Sequence, residues 1–211
     1  MGEILFDASL RNEETERLKQ RQLRKDRIFL LLLGPSATGK STVIGGLMQQ
    51  GLQEFSYVKP IMTRPNRPGE TDKISVGDEA FDAMEADGQF VIVNNLYGVK
   101  YGTPLRGILD PLETGQTPVL DYPLSTADRL LRPEYDTLNV YVYPPSVEAW
   151  VHRVESSGRN AHGRLEAGLD ELTALERSGY RHPAIDISVV NRDGMSEASA
   201  QEILAVLDSI E

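Results

Sequence analysis

The segment that most constrains this chain reads Ile28-Phe29-Leu30-Leu31-Leu32-Leu33-Gly34-Pro35-Ser36-Ala37-Thr38-Gly39-Lys40-Ser41-Thr42. Six apolar residues with no polar alternation are what a parallel strand buried on both faces requires. The residues after them fit G-x-x-x-x-G-K-S/T, and the pattern continues as a helix that closes at Gly51. Strand, glycine loop and helix in that order wrap backbone N–H groups around a phosphate, at a helix end whose dipole is positive. The pattern predicts a nucleoside triphosphate site built from Gly34, Ser36, Ala37, Thr38, Gly39, Lys40, Ser41 and Thr42. In it Lys40 bridges β- and γ-phosphate oxygens of ATP and Ser41 offers its hydroxyl to Mg²⁺.

Short apolar runs at Tyr57–Met62, Phe90–Val93, Val119–Leu120, Val140–Tyr143 and Ile187–Val190 alternate with helix-like stretches at about 40–51, 124–132, 146–156, 165–178 and 195–209. This alternation predicts an α/β fold, a mostly parallel central sheet flanked by helices. Residues 58–103 break the rhythm, with Gly and Pro punctuating short β-like pieces around one helix near Glu79–Glu85, and predict a small inserted lobe. Residues 1–27 read as a helical extension capped at Asp7 or Ser9, ahead of a main domain over 28–211. Its apolar stripe is thin, which leaves open a solvated arm, a docking helix or a homodimer contact. Trp150 shares a helical face with Val147, Val151 and Val154 and is expected in the core, as are Tyr141 and Tyr143, whereas His152 is expected toward solvent.

Lys and Arg total 22 against 32 Asp and Glu, a net charge of −10 that disfavours a nucleic acid polymer or an anionic membrane as partner. The chain has no cysteine, which removes thiol chemistry and Cys-ligated metals, and His152, His162 and His182 lack metal-site spacing. The first residues carry no basic-then-apolar signal pattern, so a cytoplasmic protein is expected. No Asn-Lys-x-Asp run of a switch GTPase occurs, nor the acid-paired strand end of a motor ATPase. A small acceptor kinase needs instead a second anion site facing the phosphate loop, and arginines that close over the transferring group. Thr63-Arg64-Pro65-Asn66-Arg67-Pro68-Gly69-Glu70 supplies such a site, two guanidinium groups held in a stiff turn.

From Ile28 to about Asp193 the order of these landmarks resembles the guanylate kinase family. The phosphate loop is similar to the family's, and residues 63–70 resemble its acceptor-binding T-R-x-x-R-x-G-E loop. Glu79-Ala80-Phe81 and Gly88-Gln89-Phe90 follow at the spacing of its small lobe, and Gly98-Val99-Lys100-Tyr101-Gly102-Thr103-Pro104 resembles its G-x-x-Y-G-T/S element. Val119-Leu120-Asp121, Tyr143-Pro144-Pro145-Ser146 and Val189-Val190-Asn191 match later strand ends and the loop before the lid. The resemblance implies that Arg64, Arg67, Tyr101 and Thr103 bind the acceptor, with Asp121 between the two sites. It also implies a lid at about 153–164 whose Arg153, Arg159 and Arg164 meet the transferring phosphate. That lid is shorter than usual, and Ser157 stands where the family's middle arginine falls, so Arg159 substitutes from two residues on.

The departures gather where a guanine base is read. The family's serine before the loop is Pro60, its lobe tyrosine has no counterpart in Asp72-Lys73-Ile74-Ser75, and its glutamate after the Gly-x-Phe element is Ile92. Asn94 and Asn95 offer side-chain hydrogen bonds to a base or simply end a strand. The expected activity is ATP-dependent phosphorylation of a small phosphorylated acceptor, GMP or a related nucleoside monophosphate. Two alternatives stay open: a sugar-phosphate kinase similar to ribose 1,5-bisphosphate phosphokinase, which shares the Thr-Arg-Pro loop, and a non-catalytic guanylate-kinase-like interaction module.

Overall fold

The computed structural model describes residues 3–51, 54–96, 98–156 and 163–210. Its central sheet is all parallel, in the spatial order β2 (Phe55–Tyr57), β7 (Thr117–Tyr122), β1 (Ile28–Leu33), β8 (Asp136–Tyr143), β9 (Ile187–Val190). Every residue of β1 is buried, because alternate side chains serve two cores. Phe29, Leu31 and Leu33 face one layer with Ile108, Trp150, Leu172 and Leu175. Ile28, Leu30 and Leu32 face the other with Val43, Leu47, Ala200, Ile203 and Leu207. The first layer is covered by α4 (Arg106–Glu113), α5 (Val147–Ser156) and α6 (Arg164–Arg177), the second by α2 (Lys40–Gln50) and α7 (Ser196–Asp208).

A second sheet orders β4 (Ile74–Ser75), β3 (Ile61–Met62), β6 (Val99–Pro104) and β5 (Phe90–Leu96) beside α3 (Asp78–Ala86). It occupies the stretch read as an inserted lobe. The apolar run 57–62 does not form one strand: Tyr57 ends β2 in the central sheet, and the chain passes Pro60 before β3 opens the other sheet. Residues 124–132 are also not an α-helix, since Pro123 leads into a 3-10 segment, Leu124–Leu130. Helix α4 was not expected, because Gly107 and Pro111 interrupt its pattern; Ile108 nevertheless anchors it in the core.

The N-terminal helix α1 (Ala8–Arg21) starts at Asp7, whose Oδ1 accepts the Leu10 N–H at 2.7 Å. It is docked on its own chain. Ile4 and Leu10 are buried, and the Phe6 ring meets Tyr143 and Tyr180 edge to face at 5.2 and 5.4 Å. Arginines do most of the tethering: Arg11 donates to the Ser188 carbonyl, Arg17 to those of His182 and Ile185, and Arg21 to the buried carboxylate of Asp186. No helix of the described residues is long and apolar enough to cross a membrane.

Candidate active site

The loop after β1 is built around Gly39, whose φ is +94° and whose added Cβ would lie 1.9 Å from Asn191 Nδ2. Conformation and space both demand glycine there. Three side chains tie the loop's carbonyls. Trp150 Nε1 donates to the Ser36 carbonyl at 2.8 Å, Asn191 Nδ2 to that of Thr38 at 3.0 Å, and Arg153 Nη1 to the same Thr38 oxygen at 3.3 Å. Lys40 folds over the loop, its Nζ 2.8 Å from the Gly34 carbonyl and 2.9 Å from that of Pro35. Beneath it, the Tyr141 hydroxyl donates to Glu171 Oε1 at 2.5 Å. Burial pushes the Glu171 carboxyl up, opposed by that hydrogen bond and by the Lys40 charge.

A cleft of about 530 Å³ opens over this loop, lined among others by Ser36, Ala37, Gly39, Lys40, Ser41 and Thr42, and by Asp121, Arg153 and Asn191. Asp121 reaches it because β7 pairs with β1 in a register that sets Asp121 beside Leu32, near the strand end that leads into the loop. Its Oδ1 accepts the Tyr57 hydroxyl at 3.3 Å, and burial, then the Asp121 charge, push the Tyr57 hydroxyl's pKa up. Ser41 and Asp121 thus offer hard oxygen donors to one cleft, suited to Mg²⁺. Among the described residues no group of three or more His, Cys, Asp or Glu side chains could hold a metal. Such a set fits an ion that takes most of its ligands from nucleotide phosphate and water.

In the second sheet, Arg64 is gripped by Glu70: Nη1 and Nη2 each lie 2.7 Å from a carboxylate oxygen, and Nε donates to the Tyr101 hydroxyl at 3.3 Å. The Arg64 guanidinium and the Arg67 N–H hold the Glu70 carboxyl down at about 2. Arg67 itself is exposed. Thr103 is fully buried, its hydroxyl 3.0 Å from that of Tyr122, so it does not stand open to the cleft.

The predicted lid residues have different fates. Arg153 is held on the Thr38 and Asn191 carbonyls and Asp193 Oδ1 (2.5 Å) and lines the cleft beside the phosphate loop. Arg164 opens α6 and is exposed, and Arg159 lies outside the described residues. Trp150, Tyr141 and Tyr143 are buried and His152 is exposed, as expected. The contributions of Tyr57 and Asn191 went unread in the sequence. For Asn191 a polar residue directly after the apolar run 187–190 was the one available signal.

The Guanylate kinase family model matches residues 26–205. A guanylate kinase of Thermobifida fusca is 33% identical over 168 residues, covering 76% of this chain and 82% of that protein. One from Streptomyces kasugaensis is 32% identical over 184 residues, covering 84% and 85%. The crystal structure of guanylate kinase from Anaplasma phagocytophilum shares the fold, with a TM-score of 0.62 and 23% identity over 89% of this chain and 88% of that one. A phosphate loop and a clamped arginine, joined by similarity along nearly the whole length, make this chain a member of the guanylate kinase family of P-loop nucleoside monophosphate kinases.

Proposed function

We propose that this chain transfers the γ-phosphate of ATP to GMP. One observation carries the reading: a phosphate loop lies at the end of β1 and an arginine–tyrosine anion site on the second sheet, with Asp121 beside the first through its strand register. ATP would draw Lys40 from the Gly34 and Pro35 carbonyls onto its β- and γ-phosphate oxygens. Arg64, Arg67 and Tyr101 would hold the acceptor phosphate, with Thr103 supporting through Tyr122. The acceptor oxygen then attacks in line, and the enzyme's task is to position the two substrates and offset charge. Ser41 and Asp121 would hold Mg²⁺, which supplies charge neutralisation on the phosphates when bound. Arg153, Arg159 and Arg164 form the proposed lid set. For Arg153 that role requires release from Asp193, so closure exchanges a carboxylate partner for a phosphate.

The test is a coupled ADP-release assay with ATP and Mg²⁺ against GMP, dGMP, AMP, CMP, UMP and ribose 1,5-bisphosphate, with Lys40→Ala as control. Turnover of GMP that disappears in the control is expected. Turnover of the sugar alone would move the chain to the sugar-phosphate branch, and ATP binding with silence across the panel would make it an interaction module.

A further inference from the structure

The β5–β6 hairpin sets Asn94 opposite Tyr101 and Ile92 opposite Thr103. Directly opposed residues share a sheet face, and so do residues two apart, so all four side chains belong to the face that carries Tyr101 to Arg64. None of these four side chains is a carboxylate. Asn95, one residue on, is exposed and pairs with Lys100 on the opposite face.

On the acceptor-facing side a polar chain runs from Thr103 to the Tyr122 hydroxyl at 3.0 Å and from Tyr122 to Asn94 Nδ2 at 3.4 Å. It continues from Asn94 Oδ1 to Arg129 Nη1 at 2.9 Å. Arg129 Nη2 also donates to the Val93 carbonyl at 3.1 Å. These bonds fix the orientation of the Asn94 amide, its oxygen turned to Arg129. Toward a ligand the network's strongest groups are donors, the Arg129 N–H groups not engaged by Asn94 and Val93, from a guanidinium that carries five, and the long-bonded Asn94 Nδ2.

A guanine presents donors on its N1 and N2 edge and two adjacent acceptors, O6 and N7, on the other. A carboxylate reads the first edge, whereas a guanidinium reads the second. Given the nucleoside monophosphate reading above, on which this rests, we infer that Arg129, oriented by Asn94, recognises the base by its O6/N7 edge. Selection is then for a 6-oxopurine, and the 2-amino group is not read. A 6-aminopurine would place an N–H against the guanidinium and leave a donor without a partner.

The test compares kcat/KM for GMP, IMP and AMP in the wild type and in Arg129→Met, which keeps length and removes every donor. The wild type should use GMP and IMP within about fivefold of each other and AMP about tenfold to a hundredfold less well, the span of one bidentate base contact. Arg129→Met should cut the GMP-to-AMP preference at least about tenfold, mainly through acceptor KM. A role limited to bracing β5 would lower all three acceptors by one common factor, and that result overturns the inference. So does IMP falling more than about a hundredfold below GMP in the wild type, a comparison that needs no variant. Turnover of AMP, CMP or UMP with GMP and IMP inert would overturn this inference alone, whereas turnover of ribose 1,5-bisphosphate with every nucleotide inert would overturn the nucleotide reading on which it rests.

Discussion

Gly168 on α6 is packed so tightly that an added Cβ would lie 2.4 and 2.5 Å from Cζ2 and Cη2 of Trp150 and 3.2 Å from Pro35. Trp150 is fully buried, and its Nε1 holds the Ser36 carbonyl of the phosphate loop at 2.8 Å. Gly168→Ala should therefore push the indole off that carbonyl. Overpacking costs about 1–3 kcal/mol and the lost hydrogen bond about 1 kcal/mol, offset by about 1 kcal/mol of helix propensity. The net is a loss of about 1–3 kcal/mol, or roughly 2–12 °C in Tm for a chain of this size. The KM for ATP should rise with it, because the loop loses its anchor. Trp150→Phe removes the atoms that clash, at its own cost in stability; in that background Gly168→Ala should turn neutral or stabilising by up to about 1 kcal/mol. Thermal melts and ATP titrations of the four proteins in the cycle read this directly. Equal destabilisation by Gly168→Ala in both backgrounds would refute the reasoning.

Three further outcomes are expected. Arg21→Ala leaves the buried Asp186 carboxylate with its Asn139 N–H and the nearby Arg17 and should cost about 2–4 kcal/mol at pH 7. Burial already raises the Asp186 pKa, so protonation removes the need for a counter-charge, and the loss measured by denaturant melts should shrink as pH falls toward 4. Glu14 is buried with Oε1 unpartnered and its carboxyl pushed up by burial. A raised carboxyl destabilises the fold at pH values above it, so Glu14→Gln should stabilise at pH 7 and bring no gain in acid. Glu70→Gln should loosen Arg64 and raise the acceptor KM about tenfold with the ATP KM unchanged; a fall in acceptor KM would make Glu70 a competitor for the phosphate. With its carboxyl at about 2, the Glu70 clamp contributes above the ordinary carboxylate range and is lost only as pH falls through about 2. Acceptor KM should then show no Glu70 titration between about pH 5 and 8.

What the sequence disclosed was local chemistry. The run 28–33, the loop at 34–41 and the Arg64/Arg67 turn each sit within a few residues, so spacing alone exposes their purpose. The supports of the loop were illegible for the converse reason. Trp150 reaches Ser36 across 114 positions, and Asn191 reaches Thr38 across 153. Nothing in either neighbourhood announces a partner so distant. Arg153 shows the same limit, since its place in the family pattern says nothing of the carboxylate that holds it at rest. The docking of α1 was hidden because arginines seeking backbone carbonyls leave no apolar period behind. Tyr57 and Pro60 fall inside one hydrophobic run, and hydrophobicity cannot tell one sheet from the next.

Side chains that seek backbone carbonyls also settle how this molecule ends its sheets. Strand β9 closes the central sheet, and its carbonyls at Ser188 and Val190 are taken by Arg11 and by the Ser199 hydroxyl. Strand β5 closes the second sheet, and its carbonyls at Val91 and Val93 are taken by Arg132 and Arg129. In each case the acceptors two residues apart, the row on which a stray strand would add, are occupied by side chains that propagate no ladder. A protein with two open sheets thus presents, on these two sides, rims whose alternate acceptors are already taken and which offer a neighbouring strand little to pair with.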